Sequence, residues 1–246
     1  MTNTTFTQIS ESGSGRPVLL LHGGGGPFTV ASLAAHLAES AHVIAPTHPG
    51  FNGTERPANI DSVKALAAEY AQYIADADLR DVLVVGSSVG GWIAAEIALA
   101  DTDGRVAGVV PINAAGFTVP GNPVRDISGM TPQELAQYSF HDPSKLRVPP
   151  PTPEGLAIAK ANAATLAALS VDPEPTFLSR AGGITAPTLI LWGESDRVVD
   201  LDYGRALAAA IPGAEFVVIP EAGHLPHLEN PTAVFAALDA FALAHV

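Results

Sequence analysis

The hydrophobic positions of this chain fall into short apolar runs separated by stretches of helical periodicity. Val18-Leu19-Leu20-Leu21, Val82-Leu83-Val84-Val85 and residues 106–112 are apolar at consecutive positions, the pattern of strands buried on both faces. Residues 43–45, 188–192 and 216–219 give further strands. Residues 6–9 read as a short first strand ahead of a Ser12-Gly13-Ser14-Gly15 turn. Helical patterns cover residues 29–39, a stretch from the capping Asp61 to residue 77, and residues 90–100, 202–210 and 232–244. Strands alternating with helices predict an α/β fold: a mostly parallel central sheet of about seven or eight strands with helices on both faces.

One stretch breaks the alternation. Residues 113–187 hold no convincing strand but do hold Val148-Pro149-Pro150-Pro151-Thr152-Pro153 and two helix signals. Thr131-Pro132-Gln133-Glu134 supplies a capping residue, a proline at the first helical position and a glutamate at the third. Residues 153–169 form a second, amphipathic candidate. A structureless loop of this length is uncommon in a compact domain, so a small helical cap inserted before the penultimate strand is expected.

Composition narrows the function. The length suits one α/β domain with an insertion, able to bury roughly 70–75% of its unfolded surface. Without cysteine there are no disulfides, no thiol catalysis and no cysteine-ligated metal. Acidic residues outnumber basic ones 25 to 12, for a net charge of −13, and no basic stripe occurs, so nucleic acid is not an expected partner. The start of the chain lacks the basic and apolar segments of a signal peptide, and no apolar run is long enough to span a membrane. A cytoplasmic protein acting on a small molecule, with no membrane partner, is the expectation.

The candidate chemistry centres on Gly86-Ser87-Ser88-Val89-Gly90, between the strand at 82–85 and the following helix. Strand, sharp turn and helix would hold the Ser88 hydroxyl out at the sheet edge as a nucleophile. The spacing selects Ser88 over Ser87. A serine hydroxyl needs a base, and the base an orienting acid. Asp196 lies in the loop after the strand at 188–192, and His224 in the loop after the strand at 216–219. All three would stand at the carboxyl ends of parallel strands, where such sheets carry their sites. His22-Gly23-Gly24-Gly25-Gly26 follows the strand at 18–21, and one of its backbone N–H groups, with that of Val89, could hold a developing oxyanion.

Together, HGGGG at 22–26, GSSVGG at 86–91, WGESDRVV at 192–199 and GHLPHLENP at 223–231 resemble the α/β-hydrolase superfamily, in its serine esterase and C–C hydrolase-like branch with a helical cap. The resemblance implies a nucleophile at Ser88, an acid at Asp196, a base at His224 and oxyanion donors at Gly24 and Val89, with Gly23 or Gly25 as alternatives to Gly24. It also implies a core at 1–113 and 184–246, a cap at 114–183, and no cofactor. Two departures stand out. Thr47-His48-Pro49-Gly50 lies where many relatives carry an aspartate, and the short N-terminus favours seven strands over eight.

Competing residues have plainer readings. Glu194, Asp200 and Asp202 rival Asp196 but suit surface or capping positions. His22 suits a buttress of the glycine loop, and His36, His42 and His245 ordinary surface or structural roles. His141 suits solvent. His227, three residues beyond His224, could suggest a metal pair, but Pro226 interrupts the helix face and no further ligands gather, so no metal is expected. Leu156, Leu166 and Leu169 read as core packing. Neither glycine loop fits a phosphate-binding motif. The expected activity is hydrolysis of small to medium carboxylic esters through an acyl-enzyme. Carbon–carbon hydrolysis of a dienoic ketone acid, lactone hydrolysis and peracid formation are alternatives on the same residues. The first would want a cation for the substrate carboxylate, with Arg125, Lys145, Arg147 and Lys160 as candidates. A non-catalytic ligand receptor is the alternative from another class.

Overall fold

The computed structural model describes residues 5–127, 129–145, 152–172 and 176–245. Seven strands form one sheet in the order β1-β3-β2-β4-β5-β6-β7. They are β1 (Ile9–Gly13), β2 (Pro17–Leu21), β3 (His42–Pro46), β4 (Val82–Ser87), β5 (Val106–Ile112), β6 (Leu189–Gly193) and β7 (Glu215–Ile219). β1 is antiparallel to β3 and every other pairing is parallel.

The apolar runs become central strands because their two faces feed two separate cores. Leu19, Leu21, Val82 and Val84 pack with α2 (Val63–Asp76), α3 (Val89–Ala100) and α7 (Leu201–Ala210). Val18, Leu20, Leu83 and Val85 pack on the opposite face with α1 (Ala31–Leu37) and α9 (Pro231–His245). Strand periodicity of two sends alternate residues to opposite layers, so only an uninterrupted apolar run satisfies both. α3 is buried from Val89 to Ala98, because α2 packs beside it and Phe117 and Phe177 of the insertion between β5 and β6 meet Trp92.

That insertion holds α4 (Pro132–Ser139), α5 (Pro153–Leu169) and α6 (Phe177–Arg180), and no strand among the described residues. Thr131 and Glu134 form the anticipated capping box. α5 differs from expectation: Leu156 is 51% exposed, and only Asn162 and Leu169 are buried. Arg147 and residues 148–151 of the proline-rich segment lie outside the described residues, as does the side chain of Lys145.

Three boundaries also differ. β1 begins at Ile9 and runs through Gly13, where a turn was expected, because Ile9 to Gly13 pair with Pro46 to His42. Phe6 instead stacks on Tyr70 at 4.2 Å. Ser62, not Asp61, caps α2 by accepting the N–H of Ala65. The histidine loop contains an unanticipated single turn, α8 (Pro226–Glu229), with Pro226 at its start. Among the described residues, no helix is long and apolar enough to cross a membrane.

Candidate active site

β3 and β4 leave β2 on opposite sides, so the loops after β2 and β4 open a crevice at the carboxyl edge of the sheet. The glycine loop and the Gly86–Gly90 turn meet there. A Cβ on Gly86 would lie 2.0 Å from the carbonyl oxygen of Gly90, and one on Gly90 would lie 2.5 Å from that of Leu21. Only glycine lets strand, helix and neighbouring strand come so close. Between them Ser88 takes φ 57° and ψ −124°, a conformation that costs on the order of 1–3 kcal/mol in a residue with a side chain. Four backbone bonds over-determine it: its N–H to Ile112, and its carbonyl from Gly91, Trp92 and Ala115.

The structure brings Ser88, His224 and Asp196 together. His224 Nδ1 lies 2.7 Å from Asp196 Oδ2, and His224 Nε2 lies 2.9 Å from Ser88 Oγ. A carboxylate only accepts, so Nδ1 carries the proton and Nε2 is left to accept from the Ser88 hydroxyl. Asp196 is 5% exposed, and four donors saturate it. The N–H groups of Val198 and Val199 bond Oδ1 at 2.8 and 3.1 Å, and the Asn113 amide joins His224 on Oδ2 at 2.6 Å. The competing acids lie elsewhere. Asp200 caps α7, Asp202 pairs with Arg205, and Glu194 accepts the N–H of Glu221.

The N–H of Val89 opens α3 and meets no acceptor among the described residues. The N–H groups of Gly23 and Gly24 are equally free of acceptors there. A Cβ on Gly23 would lie 3.1 Å from that of Ser88, so this loop passes directly over the serine. His22 supports it from below. Its Nδ1–H donates to the Gly23 carbonyl, and its Nε2 accepts the backbone N–H of His48. His48 in turn donates Nε2–H to the His22 carbonyl and accepts the Tyr70 hydroxyl at Nδ1. Burial holds the His22 pKa down at about 4 and His48 well below its ordinary range, so both rings are neutral, as this bonding requires. His48 thus fills this loop with a fully bonded buttress.

His227 turns away from His224 and reaches the carbonyl of Thr29 at 2.8 Å. Among the described residues, no group of three or more acidic or histidine side chains is arranged to hold a metal ion. His141 is exposed and bonds Ser195 Oγ. His36, His42 and His245 sit beside Asp239, Glu11 and Glu215.

Several contacts that matter here were not anticipated from the sequence. Leu166 of α5 lies over Gly24, 2.8 Å from where a Cβ there would be. Asn162 on the same face accepts the N–H of Asn52 and donates to its side-chain oxygen, while Thr165 bonds the Gly50 carbonyl. Asn113 carried one readable signal, a polar residue ending a buried strand at the site edge. Leu166 reads as core packing in the sequence, since nothing in an alanine-rich helix marks which leucine faces a distant loop.

Known proteins place the chain in a family. The profile of the alpha/beta hydrolase family matches residues 18–238. A 2-hydroxymuconate semialdehyde hydrolase of Pseudomonas putida is 26% identical over 91% of this chain and 86% of its own length. Lipase 3 of Moraxella sp. is also 26% identical, over 89% of this chain and 75% of its own. A thermophilic esterase of Thermogutta terrifontis shares the fold, with a TM-score of 0.77 and 24% identity across 99% of this chain and 98% of that one. A match running from β2 into α9 takes in the whole parallel sheet, and the chain belongs to the alpha/beta hydrolase family.

Proposed function

We propose that this protein is a cofactor-independent serine hydrolase of small to medium carboxylic esters. The observation that carries the reading is the single imidazole of His224 bonded at one nitrogen to Asp196 and at the other to Ser88. Ser88 Oγ gives its proton to His224 Nε2 and attacks the ester carbonyl. The N–H groups of Val89 and Gly24 receive the negative charge that develops on the carbonyl oxygen, an interaction worth roughly 3–4 kcal/mol per donor. Asp196 holds the ring and stabilises its cationic form. The alcohol leaves with the proton from His224, and water activated by the same nitrogen then frees the acyl group. In this reading residues 114–183 form the cap over a core of 1–113 and 184–246.

These two relatives, one named for a semialdehyde and one as a lipase, are both 26% identical, so identity does not choose between them. Of the four candidate cations, the two whose side chains are described favour an ester. Arg125 lies over the Tyr138 ring and bonds the Arg197 carbonyl. Lys160 is exposed and about 200° around α5 from Asn162, which faces the core. Neither is free to meet the carboxylate of a ketone acid.

Ser88→Ala is expected to abolish the burst of p-nitrophenol from p-nitrophenyl esters, and undiminished turnover in that variant would sink the reading. Comparing esters with 2-hydroxy-6-oxo-dienoates separates ester from carbon–carbon hydrolysis. Tight ligand binding without turnover would mark a receptor.

A further inference from the structure

We infer that Glu229 is a positioning residue for the base, the side chain through which the cap holds the His224 loop in register with Ser88; this rests on the reading of His224 as base. Glu229 ends the single turn of α8 and is half-buried. Its Oε2 accepts the N–H of Gly223 at 2.7 Å and that of His141 at 3.0 Å, and its Oε1 accepts the N–H of Asp142 at 3.1 Å. One carboxylate thus gathers three backbone donors from two distant segments. Gly223 immediately precedes the base, and His141 and Asp142 follow Phe140, the C-cap of the cap helix α4.

The same junction is used by the backbone. The last carbonyls of α4 have no acceptor role left within the helix, and they are taken by the two site loops. Ser139 accepts the N–H of His224 itself at 2.7 Å. Tyr138 accepts the N–H of Arg197, next to Asp196, and Gln137 accepts its guanidinium. The end of α4 therefore spans both the acid loop and the base loop, and Glu229 is the side chain that fastens it. A helix C-terminus is an unfavourable place for negative charge, so α8 itself does not explain an acid there. Three converging N–H groups do, since bonds to an ionised acceptor are short and strong. A glutamine of the same size would turn an amide nitrogen against at least one of these donors. With the charge gone and one donor unpaired, the junction would loosen and the His224 loop would shift relative to Ser88.

The test uses Glu229→Gln and Glu229→Asp in the full chain. Active sites are counted by saturating fluorophosphonate labelling, and kcat and KM for p-nitrophenyl acetate are expressed per labelled site. The expected result is a kcat per site roughly ten- to a hundredfold lower, the scale of a sub-ångström misplacement. KM should stay within about twofold, and the second-order labelling rate should fall with kcat. Glu229→Asp, which keeps the charge but shortens the reach, should retain more of both rates than Glu229→Gln. If kcat and labelling rate per site match the wild type, with only the number of sites or the melting temperature reduced, Glu229 is merely structural and the proposal fails. Turnover that survives Ser88→Ala sinks the serine reading instead, whatever Glu229 does.

Discussion

Asn113 donates its side-chain amide to Asp196 Oδ2, the same oxygen that faces His224, at 2.6 Å against 2.7 Å for the histidine. Its own oxygen accepts the N–H of Gly193, so it ties the end of β5 to the end of β6 as well. Asn113 is fully buried at φ 45°, a left-handed conformation that asparagine tolerates better than most residues. Asn113→Leu keeps the branched shape but removes both polar ends. It should cost about 1–3 kcal/mol of stability, the scale of a buried group left unpaired, and should lower kcat because Asp196 can turn. Urea unfolding and steady-state kinetics check this; unchanged values in both would reject it.

Acid should destabilise the fold through its buried histidines. Burial lowers His22 and His227 from 6.5 to about 4. Between those values the unfolded chain binds protons that the folded chain refuses, so stability is fully present above pH 6.5 and falls as pH drops towards 4. Each ring contributes at most roughly 3 kcal/mol to that fall. His227→Gln keeps a donor for the Thr29 carbonyl but does not titrate. The variant's stability should therefore decline less steeply than that of the wild type across this window. Parallel curves from urea unfolding at pH 7 and pH 4.5 would count against it.

Leu166 and Gly24 should behave as a coupled pair. Gly24→Ala drives its methyl to 2.8 Å from the Leu166 Cδ2, and Leu166→Ala removes that obstacle. The double variant should be nearer the wild type in kcat/KM than the sum of the single effects allows, with a coupling of about 1 kcal/mol. Leu166→Ala alone should raise the ratio of kcat/KM for longer over shorter acyl esters. Additive effects and an unchanged ratio would separate Leu166 from substrate selection.

Glu96 on α3 is buried, and its carboxylate is gripped by both terminal nitrogens of Arg180 on α6. Arg180→Met should cost about 3–5 kcal/mol because it leaves a buried charge unpaired. Adding Glu96→Met should recover most of that loss, as measured by chemical denaturation. A double variant as unstable as the single one would contradict this account.

The sheet was legible because burial on two faces demands uninterrupted apolar runs, and Val18-Leu19-Leu20-Leu21 and Val82-Leu83-Val84-Val85 admit no other element of that length. Its edges were less so. β1 extends through Ser12 and Gly13 because backbone pairing with β3 needs no apolar side chain. Ser62 rather than Asp61 caps α2 because the cap is decided by which oxygen reaches the N–H of Ala65, not by acidity.

By itself the sequence determined which residues stand at the carboxyl edge: Ser88, Asp196 and His224 each follow an apolar run that must be a strand, and strand ends are local. Tertiary structure alone decided what surrounds them. The amide of Asn113 on Asp196, Leu166 over Gly24, and the grip of Glu229 on the backbone at 141, 142 and 223 join segments far apart in the chain. Such contacts leave no periodicity to read, because they depend on how the insertion lies across the sheet rather than on the residues beside them.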